Sequence, residues 1–281
     1  KSTTCAGSIF FAKTDVDMNL AGSNEGFTNA ETPQDNSGNG DAIYISNFTG
    51  TAFTINGGTI ENAGDDGIDI RSSQNLSLSN VTTEDVGKSA GATCVDCNSS
   101  GVQGYNLTGT NTITNCSFQR GRLRNFYFSN STGTATLNIT GSTFNDTRSS
   151  GSPSTDNLQI YATSSASLAV DIENSTFTRS ATKQIDVVVR NNAQLTKCDI
   201  TGCTMDYVDG PSAGIFVEGL ESSQVNFNIM NNPKLHSQDE NVVTISAAGT
   251  ANVQGRIKGN TNMKYNGSSP GGSIFSGIRV L

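Results

Sequence analysis

Ile113-Thr114-Asn115-Cys116-Ser117, Ile139-Thr140-Gly141-Ser142-Thr143, Ile172-Glu173-Asn174-Ser175-Thr176 and Ile200-Thr201-Gly202-Cys203-Thr204 follow one pattern. An aliphatic residue leads, then any residue, Gly or Asn, any residue, and Thr or Ser. Outward from this central run the pattern returns at Ile55-Asn56-Gly57-Gly58-Thr59 and Leu78-Ser79-Asn80-Val81-Thr82 on one side. On the other it returns at Ile229-Met230-Asn231-Asn232-Pro233 and Ile257-Lys258-Gly259-Asn260-Thr261. Successive copies lie 23 to 35 residues apart. A unit of this length cannot bury its own apolar face, so the copies must stack on one another. Gly and Asn mark the corners, because both tolerate left-handed backbone angles.

Before each copy comes a short stretch that alternates apolar and outward residues, the period of a strand. These stretches are Ile43-Tyr44-Ile45, Ile68-Asp69-Ile70, Val95-Asp96-Cys97 and Phe126-Tyr127-Phe128. Leu158-Gln159-Ile160, Val187-Val188-Val189, Ile215-Phe216-Val217 and Val243-Thr244-Ile245 follow, and Ile278-Arg279-Val280 opens a ninth copy. No stretch has helical periodicity. The fold expected is all-β: a right-handed parallel β-helix, a solenoid of about eight to nine coils. Each strand pairs with its equivalent one coil away, about 4.8 Å along the axis. Ile55, Leu78, Ile113, Ile139, Ile172, Ile200, Ile229 and Ile257 should stack as one internal ladder. Residues 41–281 form the solenoid in this reading and continue beyond Leu281. Residues 1–40, irregular apart from Ser8-Ile9-Phe10-Phe11, form an N-terminal cap or an incomplete first coil. An unfinished coil presents unpaired N–H and C=O groups that recruit another strand. Further repeats, or end-to-end self-association, are therefore the expected partners.

Composition narrows the class. Apolar residues make up 34% of the chain and charged residues 15%, with no Trp and one His, His236. Such a chain is too polar for a thick globular core, and a slender repeated core suits it. The net charge of −8 argues against nucleic acid and anionic membrane as partners and is compatible with bound cations. No apolar stretch approaches the ~20 residues of a spanning helix. Low charge with abundant Asn, Ser and Thr points to an exported, extracellular or cell-surface protein.

The repeats resemble those of parallel β-helix proteins such as pectate lyases, polygalacturonases, phage tailspikes and bacterial surface proteins, over about residues 41–281. That resemblance implies the fold, which hosts lyases, hydrolases and non-catalytic adhesins alike. Gly64-Asp65-Asp66 is similar to the Gly-Asp-Asp segment of polygalacturonase-type hydrolases, and Asn39-Gly40-Asp41 stands about one coil earlier, where that family carries Asn-x-Asp. The family's Gly-His-Gly segment is missing, because His236 lies in Lys234-Leu235-His236-Ser237. Arg256-Ile257-Lys258 imitates its Arg-Ile-Lys motif, yet Ile257 is an inward ladder residue far from Asp65. A turn before a strand explains Gly64-Asp65-Asp66-Gly67 equally well.

Read from the residues, Asp69 and Asp96 are outward residues of adjacent coils, and Asp65 and Asp66 lie beside them. Like charges this close are costly unless a cation sits between them, and oxygen ligands suit Ca²⁺. Asp65, Asp66, Asp69 and Asp96 are thus the metal candidates. With Arg122 and Arg124 of the next coil they are also the catalytic candidates for a polysaccharide lyase or hydrolase. Tyr127 and Phe216 are outward but isolated aromatic candidates for sugar stacking. Cys5, Cys94, Cys97, Cys116, Cys198 and Cys203 form no metal pattern; Cys198–Cys203 could bridge one corner. Asn47, Asn106 and Asn138 head glycosylation sequons. Three functions follow. The first is a non-catalytic extracellular structural or adhesive module of a larger surface, fibre or secreted protein, with cell-surface glycans as partners. The second is a carbohydrate-active enzyme using the Asp cluster, and the third a glycan- or ice-binding solenoid.

Overall fold

The computed structural model describes residues 16–19, 41–61, 63, 65–87, 99–147, 155–208, 214–237, 241–265 and 277–281. Among them there is no helix. Three parallel sheets carry nine, eight and nine strands, and each coil gives one strand to each sheet in turn. The coil Ile185–Val189, Gln194–Thr201 and Thr204–Val208 is representative. We call the sheets first, second and third in that order. The chain is a parallel β-helix with eight complete coils among the described residues, and Val16–Asn19 adds a strand beside Phe53–Asn56.

The second sheet carries the expected ladder. Ile55, Leu78, Ile113, Ile139, Ile172, Ile200, Ile229 and Ile257 are in continuous register. The first seven are fully buried and Ile257 is partly so. The strand Ser167–Glu173 shows why: Leu168, Val170 and Ile172 point inward while the residues between them face out. The third sheet adds an aromatic ladder, with Phe118, Phe144 and Phe177 stacked at centroid separations of 5.2 and 4.7 Å. Each such side chain taken from water contributes about 1.5–3 kcal/mol, which is how a thin core holds a polar chain together.

The corners are as the pattern implies. Gly57, Asn80, Asn115, Gly141, Asn174, Gly202, Asn231 and Gly259 all have positive φ, between 49 and 74°. Beside them runs a polar ladder along the axis. Cys116 N–H donates to Ser142 Oγ, Ser142 N–H to Ser175 Oγ, Cys203 N–H to Asn232 Oδ1 and Asn232 N–H to Asn260 Oδ1.

One strand placement differs from the sequence reading. The first-sheet strand after Ile68–Arg71 is Ser100–Tyr105, so Val102-Gln103-Gly104, and not Val95-Asp96-Cys97, continues the column. Coil length is the cause: Asp66 and Ser100, bonded across one coil, are 34 residues apart, against 25 for Asp41 and Asp66. In the strand Ile185–Val189 the alternation of Val187-Val188-Val189 holds, with Val187 and Val189 buried, and Asp186 is the outward residue level with Gln159.

Candidate functional site

The first sheet gathers the chemistry. Its central outward column runs Tyr44, Asp69, Gln103, Tyr127, Gln159, Asp186, Phe216 and Thr244, one residue per coil. Two residues further along each strand, a second column holds Arg71, Tyr105, Ser129, Tyr161, Val188 and Glu218.

At the N-terminal end of this face, Asp41, Asp66 and Asp69 each bring a carboxylate oxygen within 4.8 Å of the others. All three are buried, at 4%, 2% and 0% exposure. Their positions are fixed by the coil backbone. Asp66 N–H donates to Asp41 Oδ1 at 3.1 Å, and Ser100 N–H to Asp66 Oδ1 at 2.5 Å. Gln103 Nε2 donates to Asp66 Oδ2 at 2.8 Å. Asp69 Oδ2 takes Arg71 Nε at 2.8 Å and Nη2 at 2.7 Å. Three buried oxygens of this group have no hydrogen-bond donor among the described residues: Asp41 Oδ2, Asp69 Oδ1 and Gln103 Oε1. Burial raises all three carboxyls, since desolvation penalises the charged form, and mutual repulsion raises Asp41 and Asp66 further. Asp41 is pushed up to about 8. For Asp69 the Arg71 guanidinium opposes the rise.

Further along the same face lie arginines and tyrosines. The Arg124 guanidinium carbon stands 4.4 Å from the Tyr127 ring centroid. Arg124 Nε and Nη1, and Arg122 Nη1, are buried without a hydrogen-bond acceptor. Tyr105 packs edge-on against Tyr127 at 5.5 Å, and Arg71 lies 5.4 Å from the Tyr105 ring centroid. Tyr127 is therefore not isolated. Phe216 is met by Lys183 Nζ at 4.6 Å.

A second acid pair, Asp156 and Asp186, lies further along the same face and is also buried. Gln159 Nε2 donates to Asp186 Oδ2 at 2.8 Å, and Lys183 Nζ reaches Asp186 Oδ1 at 3.1 Å. Asp156 Oδ1 accepts from Lys183 N–H and the Thr182 hydroxyl. Burial first, then the Asp186 charge, pushes Asp156 up to about 7. Between the clusters, Asn125, Asn157 and Gln184 form a fully buried amide ladder, with Asn125 Nδ2 donating to Asn157 Oδ1 at 2.6 Å.

The sequence candidates fare unevenly. Asp66 and Asp69 come together, and Asp41 completes the group. Asp65 is partly exposed and accepts Ser99 Oγ at 2.8 Å. Asp96, with Cys94 and Cys97, lies outside the described residues, and the place beside Asp69 belongs to Gln103. Asp66 and Asp69 are not solvent-facing as expected: Asp69 is outward in its strand but buried, and Asp66, before that strand, is buried too. Arg122 and Arg124 fall two coils beyond Asp66, with Ser100 between Asp66 and Arg124. Arg256-Ile257-Lys258 lies in the second sheet, so its likeness to a catalytic motif is accidental. His236 Nδ1 is 3.4 Å from Asp206 Oδ1, in the third sheet. Cys198 and Cys203 are free buried thiols and do not bridge. The residues missed by sequence reading include Gln103, Tyr105 and Arg71, and the second pair Asp156 and Asp186.

No family model matches the chain, and no curated protein or solved structure matches it either. The class its own geometry defines is a parallel β-solenoid with a polar, aromatic and charged first face.

Proposed function

We propose that the chain is a non-catalytic, extracellular adhesive solenoid, in the style of the β-helix repeats of surface proteins, whose first face binds a uronic-acid-containing polysaccharide. The observation that carries this reading is Arg124. Its guanidinium lies over Tyr127, and Nε and Nη1 have no acceptor among the described residues. Buried donors without partners cost free energy, and a planar carboxylate matches the guanidinium fork. Arg122 offers a further unsatisfied N–H. Tyr105 and Tyr161 share the adjacent column, spaced along the axis as a linear polymer would need. The chain's charge of −8 disfavours polyanions in general; the arginines make this stretch a local exception.

Calorimetry with oligouronates and with neutral oligosaccharides of equal length tests the proposal. Binding of the acidic series, reduced about tenfold or more in Arg124→Ala by loss of charge-assisted hydrogen bonds, supports it. Equal binding of both series, or an unchanged Arg124→Ala, refutes it. The carboxylate trio favours a second reading, a glycoside hydrolase, because a carboxyl held protonated near neutral pH is suited to general-acid work. Release of reducing ends by the wild type, abolished in Asp66→Asn, would replace adhesion with that reading.

A further inference from the structure

We infer that Asp41, Asp66 and Asp69, with the side-chain carbonyl of Gln103, form a Ca²⁺ site that staples three consecutive coils. The inference stands independently of glycan binding. Asp41 lies before Ile43–Ser46, Asp66 and Asp69 around the start of Ile68–Arg71, and Gln103 within Ser100–Tyr105. An ion at this point adds a link between strands already joined by backbone ladders and by the hydrogen bonds to Asp41 and Asp66.

Geometry permits it. Ca²⁺ holds oxygen ligands at about 2.3–2.6 Å, so two ligands on one ion are at most about 5 Å apart. The three carboxylate oxygens lie within 4.8 Å of one another.

Acceptor accounting asks for it. Gln103 is not an acid, is 3% exposed, and has its amide nitrogen on Asp66, which puts its carbonyl beside the cluster. That oxygen has no donor, and neither do Asp41 Oδ2 and Asp69 Oδ1. A buried polar atom is normally satisfied. One proton answers one pair of oxygens, whereas a cation answers all three together.

The second acid pair is an internal control. It has the same parts: a buried Asp before the strand, a buried Asp in the outward column, and a Gln donating to an acid from the neighbouring coil. There the chain supplies its own cation, Lys183 Nζ, 3.1 Å from Asp186 Oδ1, and leaves Asp156 Oδ2 without a donor among the described residues. In the first cluster Arg71 reaches Asp69 alone, leaving two further carboxyls. All-oxygen donors select Ca²⁺ over Zn²⁺, and Ca²⁺ accepts the irregular ligand geometry that Mg²⁺ does not.

The test uses the whole chain. Terbium luminescence excited through tyrosine is clean here because the chain has no Trp, and Tyr44 pairs in register with Asp69. A single saturable Tb³⁺ signal, displaced by Ca²⁺, is expected. The thermal midpoint should rise with Ca²⁺ and fall with chelator at fixed pH 7.5. Asp66→Asn should lose both responses, and Asp156→Asn should keep both. Should Asp66→Asn not fold, Gln103→Met, which retains every carboxylate, must weaken Ca²⁺ by about tenfold or more. The same midpoint with Ca²⁺ and chelator, a response that survives Asp66→Asn, or unchanged affinity in Gln103→Met overturns the inference.

Discussion

Consider Gly202→Ala at the corner between the second and third sheets. Gly202 has φ +68°, and a Cβ there would stand 2.4 Å from Asn174 Oδ1 of the preceding coil. Gly141 and Gly259 face Asn115 and Asn231 in the same way. The corner thus couples neighbouring coils: an Asn side chain rests where the next coil has no Cβ. Placing Ala in left-handed backbone costs about 1–2 kcal/mol. Forcing the carboxamide aside costs roughly 1–3 kcal/mol, as overpacking does. The reduced freedom of the unfolded chain returns about 0.4–1 kcal/mol. The net is a destabilisation of about 2–4 kcal/mol. Asn174→Ala removes the clash but not the backbone strain, so Gly202→Ala/Asn174→Ala should be less destabilised than the sum of the single changes by about 1–2 kcal/mol, a coupling typical of touching residues. Urea unfolding followed by circular dichroism measures this, with an unchanged m-value showing that the same structure is lost. Gly202→Ala within about 0.5 kcal/mol of wild type, the level of an ordinary surface change, refutes the reasoning. So does strict additivity in the double variant.

Other consequences follow from the same structure. Ile172→Ala, in the middle of the ladder and fully buried between Ile139 and Ile200, should cost about 2–5 kcal/mol in urea unfolding; a cost under about 1 kcal/mol would mean that the ladder is not closely packed. Asp156, raised from 3.8 to about 7, binds its proton more tightly folded than unfolded. Its contribution is therefore fully present below about pH 4 and is lost as pH rises through about 7, worth about 2 kcal/mol between pH 5 and 7. Asp156→Asn should flatten the stability profile over that window, and an unchanged slope would count against the assignment. Burial pushes the Cys116 and Cys203 thiols up to about 11 and Cys198 up to about 12. With Cys5, Cys94 and Cys97 replaced by Ser, the native chain should take up no thiol reagent until urea is added, and rapid labelling of the native form would contradict this.

Much of this fold could be read from the residues, because a β-helix writes its geometry locally. Gly57, Asn80 and the six later corner residues adopt left-handed backbone in every coil, and the aliphatic residue two places earlier lands on the ladder each time. The first sheet was harder. Val95-Asp96-Cys97 imitates an in–out–in strand, while the true strand hides its inward place behind Gly104. A Cβ on Gly104 would meet Leu107 Cδ1 at 3.0 Å, so the core volume is filled from the following turn. That substitution concealed Gln103 and Tyr105. Ile185-Asp186-Val187-Val188-Val189 is apolar at four of five places, so the inward phase is legible but not that Asp186 stands level with Gln159. Burial of Asp41, Asp66 and Asp69 depends on how three coils superpose, which no single stretch records.

The central claim is that the first face is where this solenoid meets its ligand. A crystal structure of the chain grown with a uronic-acid oligosaccharide and calcium chloride tests it most directly. The account predicts a sugar lying along the first sheet, with a carboxylate about 2.7–2.9 Å from the Arg124 guanidinium, and a metal ion touching Asp41, Asp66, Asp69 and Gln103. Sugar seated on the second or third sheet, or a first face left bare at saturating concentration, would contradict it.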